Sequence, residues 1–137
     1  MKKTFRSIDE SKGLIWQVEP NLSTLELWHM SILDKQITDL EIGDLCRAVR
    51  QNLYTAELLP VVVSELDKDV LTGFLDDAEL LKATSELSGR VWEHDLVQAR
   101  KMLSILQRDE KLIAEEPPAV EWARILVEKL KAAVEPH

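Results

Sequence analysis

Residues 37–87 read ITDLEIGDLCRAVRQNLYTAELLPVVVSELDKDVLTGFLDDAELLKATSEL. Three helical patterns follow one another in this stretch, at about 41–53, 54–68 and 76–87. In each pattern apolar side chains recur every three or four residues, which is typical of a helix with one buried face. Because such a face must pack against another element, the stretch predicts a fold made of helices packed on helices.

Helix-start signals extend this pattern toward the N-terminus. Ser7 with Glu10, and Ser23 with Glu26, have the spacing of a capping box, in which a hydroxyl and a carboxylate each accept a backbone N–H. The second pair precedes apolar residues at helical spacing. We therefore predict a short helix that ends at Gly13 and a longer one behind Ser23.

The C-terminal part continues in the same way. Apolar spacing predicts one helix over about 92–108, and Pro118 suits the first position of a last helix. No stretch shows a convincing two-residue alternation of the kind that strands have. We predict an all-α fold, a compact bundle of about six helices that forms a single domain over 1–137.

Composition narrows the class of protein. With 137 residues and 45% hydrophobic content, the chain can bury a substantial core. A single cysteine excludes an internal disulfide and a cysteine-based zinc cluster. The start, MKKTFRSIDESKG, lacks the apolar run of a secretory signal, and no window approaches the roughly 20 apolar residues of a membrane span. We expect a cytoplasmic protein without membrane contact.

Negative charge is concentrated in the middle of the chain. Between Asp34 and Glu79 there are eleven Asp or Glu residues and four Lys or Arg residues, so this segment carries −7 of the total −8. Such a surface repels nucleic acid and attracts basic partners. We therefore expect binding to a basic protein and no direct binding to nucleic acid.

The residues that could support catalysis or metal binding do not form a recognisable motif. We expect His29 and His94 to be ordinary surface or boundary residues, and Cys46 to be a small buried side chain on the apolar face of its helix. Clustered Asp residues near 67–77 miss the EF-hand spacing and are better explained as turns and helix caps. We predict no catalytic residues, no metal site and no cofactor, and thus no enzyme.

A helix-turn-helix reading of 41–68 is one alternative for the central stretch. The short connection from Gln51 to Thr55 fits it, and Arg47 and Arg50 are basic. However, a recognition helix over about 55–66 would contain no Lys or Arg to meet phosphates, so charge argues against DNA binding.

The order of several short motifs resembles a known family. These motifs are Ile42-Gly43-Asp44-Leu45-Cys46-Arg47, Arg50-Gln51, Leu59-Pro60-Val61, Leu66 followed by 67–71, and Asp77-Ala78-Glu79-Leu80-Leu81. They resemble the immunity proteins of bacterial contact-dependent growth inhibition systems over about 20–87. Val70 and Ala78-Glu79 depart from the family pattern, where Pro and Gly-Asp are usual.

The resemblance implies a cytosolic helical protein that binds and neutralises the cognate C-terminal toxin domain of a large secreted effector. Such toxins are commonly nucleases with a basic active face, so an acidic inhibitor complements an RNase or DNase. We expect a monomer that forms a 1:1 heterodimer with the toxin. The alternative is an acidic helical regulatory or adaptor protein that binds another basic partner.

The candidate partner-binding residues are the acidic side chains of the central segment. Three of these ten, Asp44, Asp76 and Glu79, also fit helix-start positions, whereas Glu57, Glu65, Asp67, Asp69 and Asp77 are less needed for folding. The full set is Asp39, Glu41, Asp44, Glu57, Glu65, Asp67, Asp69, Asp76, Asp77 and Glu79.

Overall fold

Helices account for the regular structure, as predicted. A computed structural model describes residues 3–13, 23–73 and 76–135, and within these ranges it contains nine α-helices, a short 3-10 turn at Ile37–Asp39 and no β-strand. The helices are α1 (Phe5–Ser11), α2 (Thr24–Ile32), α3 (Ile42–Arg50), α4 (Thr55–Lys68), α5 (Glu79–Ser85), α6 (Gly89–Glu93), α7 (Leu96–Arg108), α8 (Glu110–Ala114) and α9 (Pro117–Val134). The all-α prediction is confirmed, and the helices beyond the expected six are mostly short.

The chain divides into two compact units, 1–40 and 41–137. The single-domain assignment stays a prediction. Among the helices of the described residues, none combines the length and apolarity needed to cross a membrane.

In the first unit, Thr4 rather than Ser7 is the N-cap residue of α1. The Thr4 hydroxyl accepts the Ser7 N–H at 3.0 Å, and the Ser7 hydroxyl accepts the Thr4 N–H at 2.9 Å. The prediction that Ser7 caps this helix with Glu10 is therefore wrong. Ser7 is the third helical residue and forms the capping box with Thr4. Gly13, with φ +77°, follows the C-cap residue as predicted.

The second helix of this unit starts as its sequence indicated. Ser23 Oγ accepts the Glu26 N–H at 3.1 Å, and Glu26 Oε1 accepts the Ser23 N–H at 3.2 Å, which completes the capping box. The unit buries Phe5, Ile8, Ile32, Leu33 and Ile37.

The second unit opens with α3 and α4, joined by a tight connection. Asn52 and Tyr54 adopt left-handed backbone conformations there, with φ of 56° and 53°. The α3 face that carries Leu45, Cys46 and Val49 is buried, which confirms its predicted apolar stripe.

Four helices of this unit pack in a ring. Each neighbours two others, in the order α4, α7, α9 and α5, so that α4 lies diagonal to α9 and α5 lies diagonal to α7. In addition, α3 packs on α5, and both α6 and α8 pack on α9. The fully buried side chains include Leu66, Leu81, Trp92, Met102 and Leu126.

The predicted helix over 92–108 is divided in two. His94 ends α6, and Asp95 begins α7 by accepting the Gln98 N–H on Oδ1 at 3.3 Å. An Asp at this position caps a new helix more readily than it continues the old one, so the prediction of one helix is wrong. At the last helix, Pro117 rather than Pro118 takes the first helical position.

Candidate partner-binding surface

The ten predicted carboxylates do not form one cluster. Asp39 lies in the 3-10 turn of the first unit. The others lie in the second unit: Glu41 and Asp44 at the start of α3, Glu57 and Glu65 on α4, Asp67 and Asp69 at the end of α4, and Asp76, Asp77 and Glu79 around the start of α5.

The carboxylates at the end of α4 are engaged within the chain. Glu65 pairs with Lys68 at 3.4 Å, and Asp67 pairs with Arg108 of α7 at 2.5 Å. Asp69 accepts a hydrogen bond at 3.0 Å from the backbone N–H two residues further on. These pairings offset much of the negative charge that the sequence concentrates here.

Glu79 is also committed to the fold. Its carboxylate lies 2.5 Å from Nη1 of Arg50 at the end of α3, and its side chain is only 9% exposed. Because α3 packs on α5, this ion pair ties the two helices together. Glu79 is therefore less available to a partner than its charge suggested.

The turn before α5 differs from the predicted cap. Ala78, in a left-handed conformation with φ 61°, precedes the helix, and no side chain caps it. The prediction that Asp76 is the N-cap of this helix is wrong, because the helix begins at Glu79 and the Asp76 carbonyl accepts the Glu79 N–H at 3.3 Å. The Asp76 and Asp77 side chains are exposed instead.

Gly73 permits this turn to pack closely. A Cβ at Gly73 would lie 2.0 Å from the Asp76 carbonyl oxygen and 2.9 Å from the Glu79 Cβ. Backbone atoms occupy the space that any other residue would need, so only glycine fits without displacing the turn.

A groove of about 510 Å³ lies beside this turn, between α5 and the first turns of α9. It is lined by carboxylates from two parts of the sequence, together with an aromatic ring. We define the acidic groove by Asp76, Asp77, Glu86, Glu116 and Trp122. Within the described part of the chain, no ion pair engages any of its four carboxylates. The groove therefore keeps its negative charge available to a ligand, unlike the end of α4.

The two cations that line the acidic groove are both occupied. Arg50 pairs with Glu79, and the Lys82 Nζ lies 5.7 Å from the centre of the Trp122 ring, within the range of a cation–π contact. Trp122 is partly exposed. The exposed part of the Trp122 ring can thus contact a partner, while Lys82 lies against one face of the ring.

Sequence reasoning missed Glu86, Glu116 and Trp122. They join the acidic groove only because α9 packs on α5, a contact between residues some distance apart in sequence. The sequence gives only a weak indication that Trp122 belongs to a binding surface, because this residue lies between the buried and the charged faces of α9. By contrast, Trp92 is fully buried in the core, and Trp16 lies outside the described residues.

Groups that could support chemistry are buried or isolated. His29 is buried, contrary to the surface or boundary position expected, and burial lowers the pKa of its imidazole despite the nearby Asp9 carboxylate. Cys46 is fully buried as predicted, and burial raises the pKa of its thiol to about 12. His94 is exposed, and His137 lies outside the described residues. No group of three His, Cys, Asp or Glu side chains suited to a metal ion occurs among the described residues.

A family model described as CDI immunity proteins, where CDI is contact-dependent growth inhibition, matches residues 10–102. The chain belongs to the CDI immunity protein family. The match includes the stretch on which the sequence resemblance rested and confirms it. Members of this family are not enzymes, and membership implies neutralisation of a toxin. No curated protein matches the chain.

The match ends inside α7, so the acidic groove is built from both sides of this boundary. Asp76, Asp77 and Glu86 lie within the matched residues of this CDI immunity protein, whereas Glu116 and Trp122 lie beyond them. The segment 103–137, which lies beyond the match, thus contributes one wall of the candidate surface.

Proposed function

We propose that this CDI immunity protein binds and neutralises the C-terminal toxin domain of its cognate effector, that this toxin is a nuclease, and that the acidic groove is the principal contact. The single observation that carries the choice of surface is that the four groove carboxylates have no ion-pair partner within the described residues. Family membership supports toxin neutralisation, and charge supports a basic toxin.

Electrostatics gives the reason for a nuclease. An enzyme that cleaves nucleic acid must attract phosphates, so its substrate-binding face is basic. The immunity protein has a net charge of −8 and gathers unpaired carboxylates around one groove. Complementary potentials of this kind speed encounter and select the correct partner.

Trp122 adds an apolar contact to this electrostatic complement. Tryptophan is enriched among the residues that dominate binding energy, especially where it fills a pocket surrounded by polar groups. The contact with Lys82 shows that this ring face accommodates a cation, so an arginine or lysine of the toxin fits there when it displaces Lys82. The site therefore favours a basic side chain that enters between carboxylates.

The other predicted carboxylates remain candidates of lower rank. Asp67, Asp69, Glu65 and Glu79 each bind another group of this chain, so a toxin must compete with that contact. Asp39, Glu41, Asp44 and Glu57 lie outside the acidic groove. We propose that Glu41, Asp44 and Glu57 contribute to the potential of the second unit, and that Asp39 is a separate candidate contact in the first unit.

The proposed complex is a 1:1 heterodimer formed in the cytoplasm, without a cofactor and without direct contact to nucleic acid. Growth rescue tests it: co-expression with the toxin domain encoded by the associated effector gene should restore growth. Isothermal titration should give a stoichiometry of one, and purified toxin should degrade RNA or DNA only in the absence of the immunity protein.

Two results would contradict parts of this proposal. Continued growth arrest despite abundant soluble immunity protein would reject neutralisation and favour a regulatory protein with another basic partner. Rescue from a toxin that cleaves neither RNA nor DNA would retain neutralisation and reject the nuclease assignment.

A further inference from the structure

α7 differs in charge from the rest of the protein. Its 13 residues include Arg100, Lys101 and Arg108 and no Asp or Glu, although the whole chain has a net charge of −8. All three cations are exposed, and so is Val97, at 59%. The helix therefore presents a basic, partly apolar face on an acidic protein.

A groove of about 480 Å³ runs between this face and α4. Val63 and Ile105 give it an apolar floor. Its walls are polar and rich in hydrogen-bond donors, with Ser64 from α4 and Gln98, Lys101 and Ser104 from α7. We call it the α4–α7 groove.

One end of the α4–α7 groove is closed by a fixed ion pair. Arg108 donates to the Asp67 carboxylate at 2.5 Å, to the Asp67 carbonyl at 2.9 Å and to Asp109 at 2.8 Å. These contacts raise the pKa of the Arg108 guanidinium, first through Asp109 and then through Asp67. Among the described residues that line the groove, Asp67 is the sole carboxylate, and Arg108 already binds it.

The other cation that lines the groove, Lys101, is available. Within the described residues it takes part in no ion pair, and neither does its neighbour Arg100, which lies outside the groove lining. A carboxylate at Lys101 could also accept hydrogen bonds from Ser104 and Gln98. Beside it, the apolar floor offers burial to a small aliphatic side chain.

We propose that the α4–α7 groove is a docking site for an acidic polypeptide segment that carries an aliphatic side chain next to its carboxylates. Charge complementarity to Lys101 selects the segment, and the apolar floor selects a peptide over a polyanion such as nucleic acid. This goes beyond toxin neutralisation, because the proposed occupant has the charge opposite to that of the toxin.

The two grooves lie on opposite sides of the second unit. In the ring of helices α4 and α7 are neighbours on one side, whereas α5 and α9 are neighbours on the other. A segment in the α4–α7 groove leaves the acidic groove open. The protein can therefore hold the toxin and a second, acidic partner together.

A labelled peptide with two leucines flanked by glutamates serves as the probe, and fluorescence anisotropy at low ionic strength measures its affinity for the full chain. We expect Lys101→Glu to weaken binding about tenfold, which corresponds to about 1.4 kcal/mol. The matched control Lys111→Glu makes the same charge change on α8, outside the groove, and should weaken binding less than about twofold.

Further comparisons keep the proposal falsifiable. Ser104→Trp fills the groove without changing charge and should abolish binding; a peptide with glutamines in place of the glutamates should bind weakly. The proposal is overturned if Lys101→Glu and Lys111→Glu weaken binding equally, if the glutamine peptide binds as well, or if no peptide binds.

Tighter, Lys101-dependent binding of a labelled oligonucleotide would assign the groove to nucleic acid, and light scattering that shows self-association through Lys101 would assign it to a second copy. Because the probe contains no toxin, failure here leaves toxin neutralisation untouched.

Discussion

The Arg50 guanidinium lies 2.5 Å from the Glu79 carboxylate and joins the end of α3 to the start of α5. Arg50 is 41% exposed, whereas Glu79 is 9% exposed, so the pair stands at the edge of the core. A carboxylate left in such a place without its cation keeps the cost of desolvation and loses the compensating contact. Glu79, which its charge alone assigned to partner binding, therefore contributes to the stability of the fold.

We expect Arg50→Met to lower the free energy of unfolding by about 1–2 kcal/mol, reduced from the cost of a fully buried pair by the solvent that reaches Arg50. Urea denaturation measures this value. The double mutant with Glu79→Gln supplies the coupling energy, which should be about 1 kcal/mol. A coupling energy near zero would show that Glu79 is held by other contacts.

Charge reversal in the acidic groove should slow association with the toxin. We expect Asp76→Lys with Asp77→Lys to lower the association rate constant about tenfold or more at low salt, and less at high salt, because salt screens exposed charges. Stopped-flow fluorescence measures the rate. The matched control reverses Glu93 and Glu135, which are exposed outside the groove. Equal rates for both double variants would mean that only net charge matters.

Trp122 tests the apolar part of the same surface. We expect Trp122→Ala to raise the Kd of the toxin complex about 30-fold or more, since a tryptophan at the centre of an interface contributes about 2 kcal/mol or more. The control is Trp28→Ala, which removes a similarly part-exposed ring in the first unit. Titration calorimetry gives both values, and an unchanged Kd for Trp122→Ala would exclude the acidic groove as the principal contact.

Motifs of residues close in sequence predicted where the helices lie better than where each helix begins and ends. The Ser23 and Glu26 capping box depends on neighbours in sequence, so its geometry follows from the residues themselves. The geometry at the start of α5 does not follow from neighbours in sequence. Ala78 is buried there in a left-handed conformation, within a turn that packs against Gly73. A capping signature at Asp76 could not reveal this.

The acidic groove was predictable only in part. Asp76 and Asp77 stood out by charge, but Trp122 and Glu116 reach the groove through the packing of α9 on α5. At the end of α4 the fold removes a predicted contact residue instead of adding one. Charge in the sequence predicted that Asp67 is free to bind a partner, but Arg108, 41 residues later, binds it. Contacts of this range depend on the fold as a whole, and a single sequence does not show them.

Lys129 supports the end of α5 from α9. Its Nζ donates to the Ser85 carbonyl at 2.6 Å and to the Leu87 carbonyl at 2.9 Å, which satisfies acceptors at the end of that helix. We expect Lys129→Met to lower the free energy of unfolding by about 1–3 kcal/mol, the usual range for hydrogen bonds with a charged donor. Lys131→Met is the control on the exposed face of α9, and denaturation should detect little change there. Equal stability of the two variants would reject this role for Lys129.

Gly73 and Gly89 provide a matched pair that tests the turn beside the acidic groove. Nothing lies within 4 Å of a Cβ placed at Gly89, which opens α6, whereas a Cβ at Gly73 would overlap the Asp76 carbonyl oxygen. We therefore expect Gly89→Ala to leave stability unchanged or to raise it by up to about 1 kcal/mol, as alanine does in helices. Gly73→Ala should lower stability by about 1–3 kcal/mol, because overpacking forces the backbone to move.

The same substitution at Gly73 should also displace Asp76 and Asp77, and so weaken toxin binding more than the loss of stability explains. Calorimetric titration at a temperature where both variants are folded separates the two effects. Because the Cβ is small and the turn is exposed on one side, the rest of the second unit should keep its hydrogen-exchange protection in Gly73→Ala. If Gly73→Ala binds the toxin as well as Gly89→Ala does, the position of the 76–79 turn is unimportant for recognition, and the toxin must contact another part of the protein.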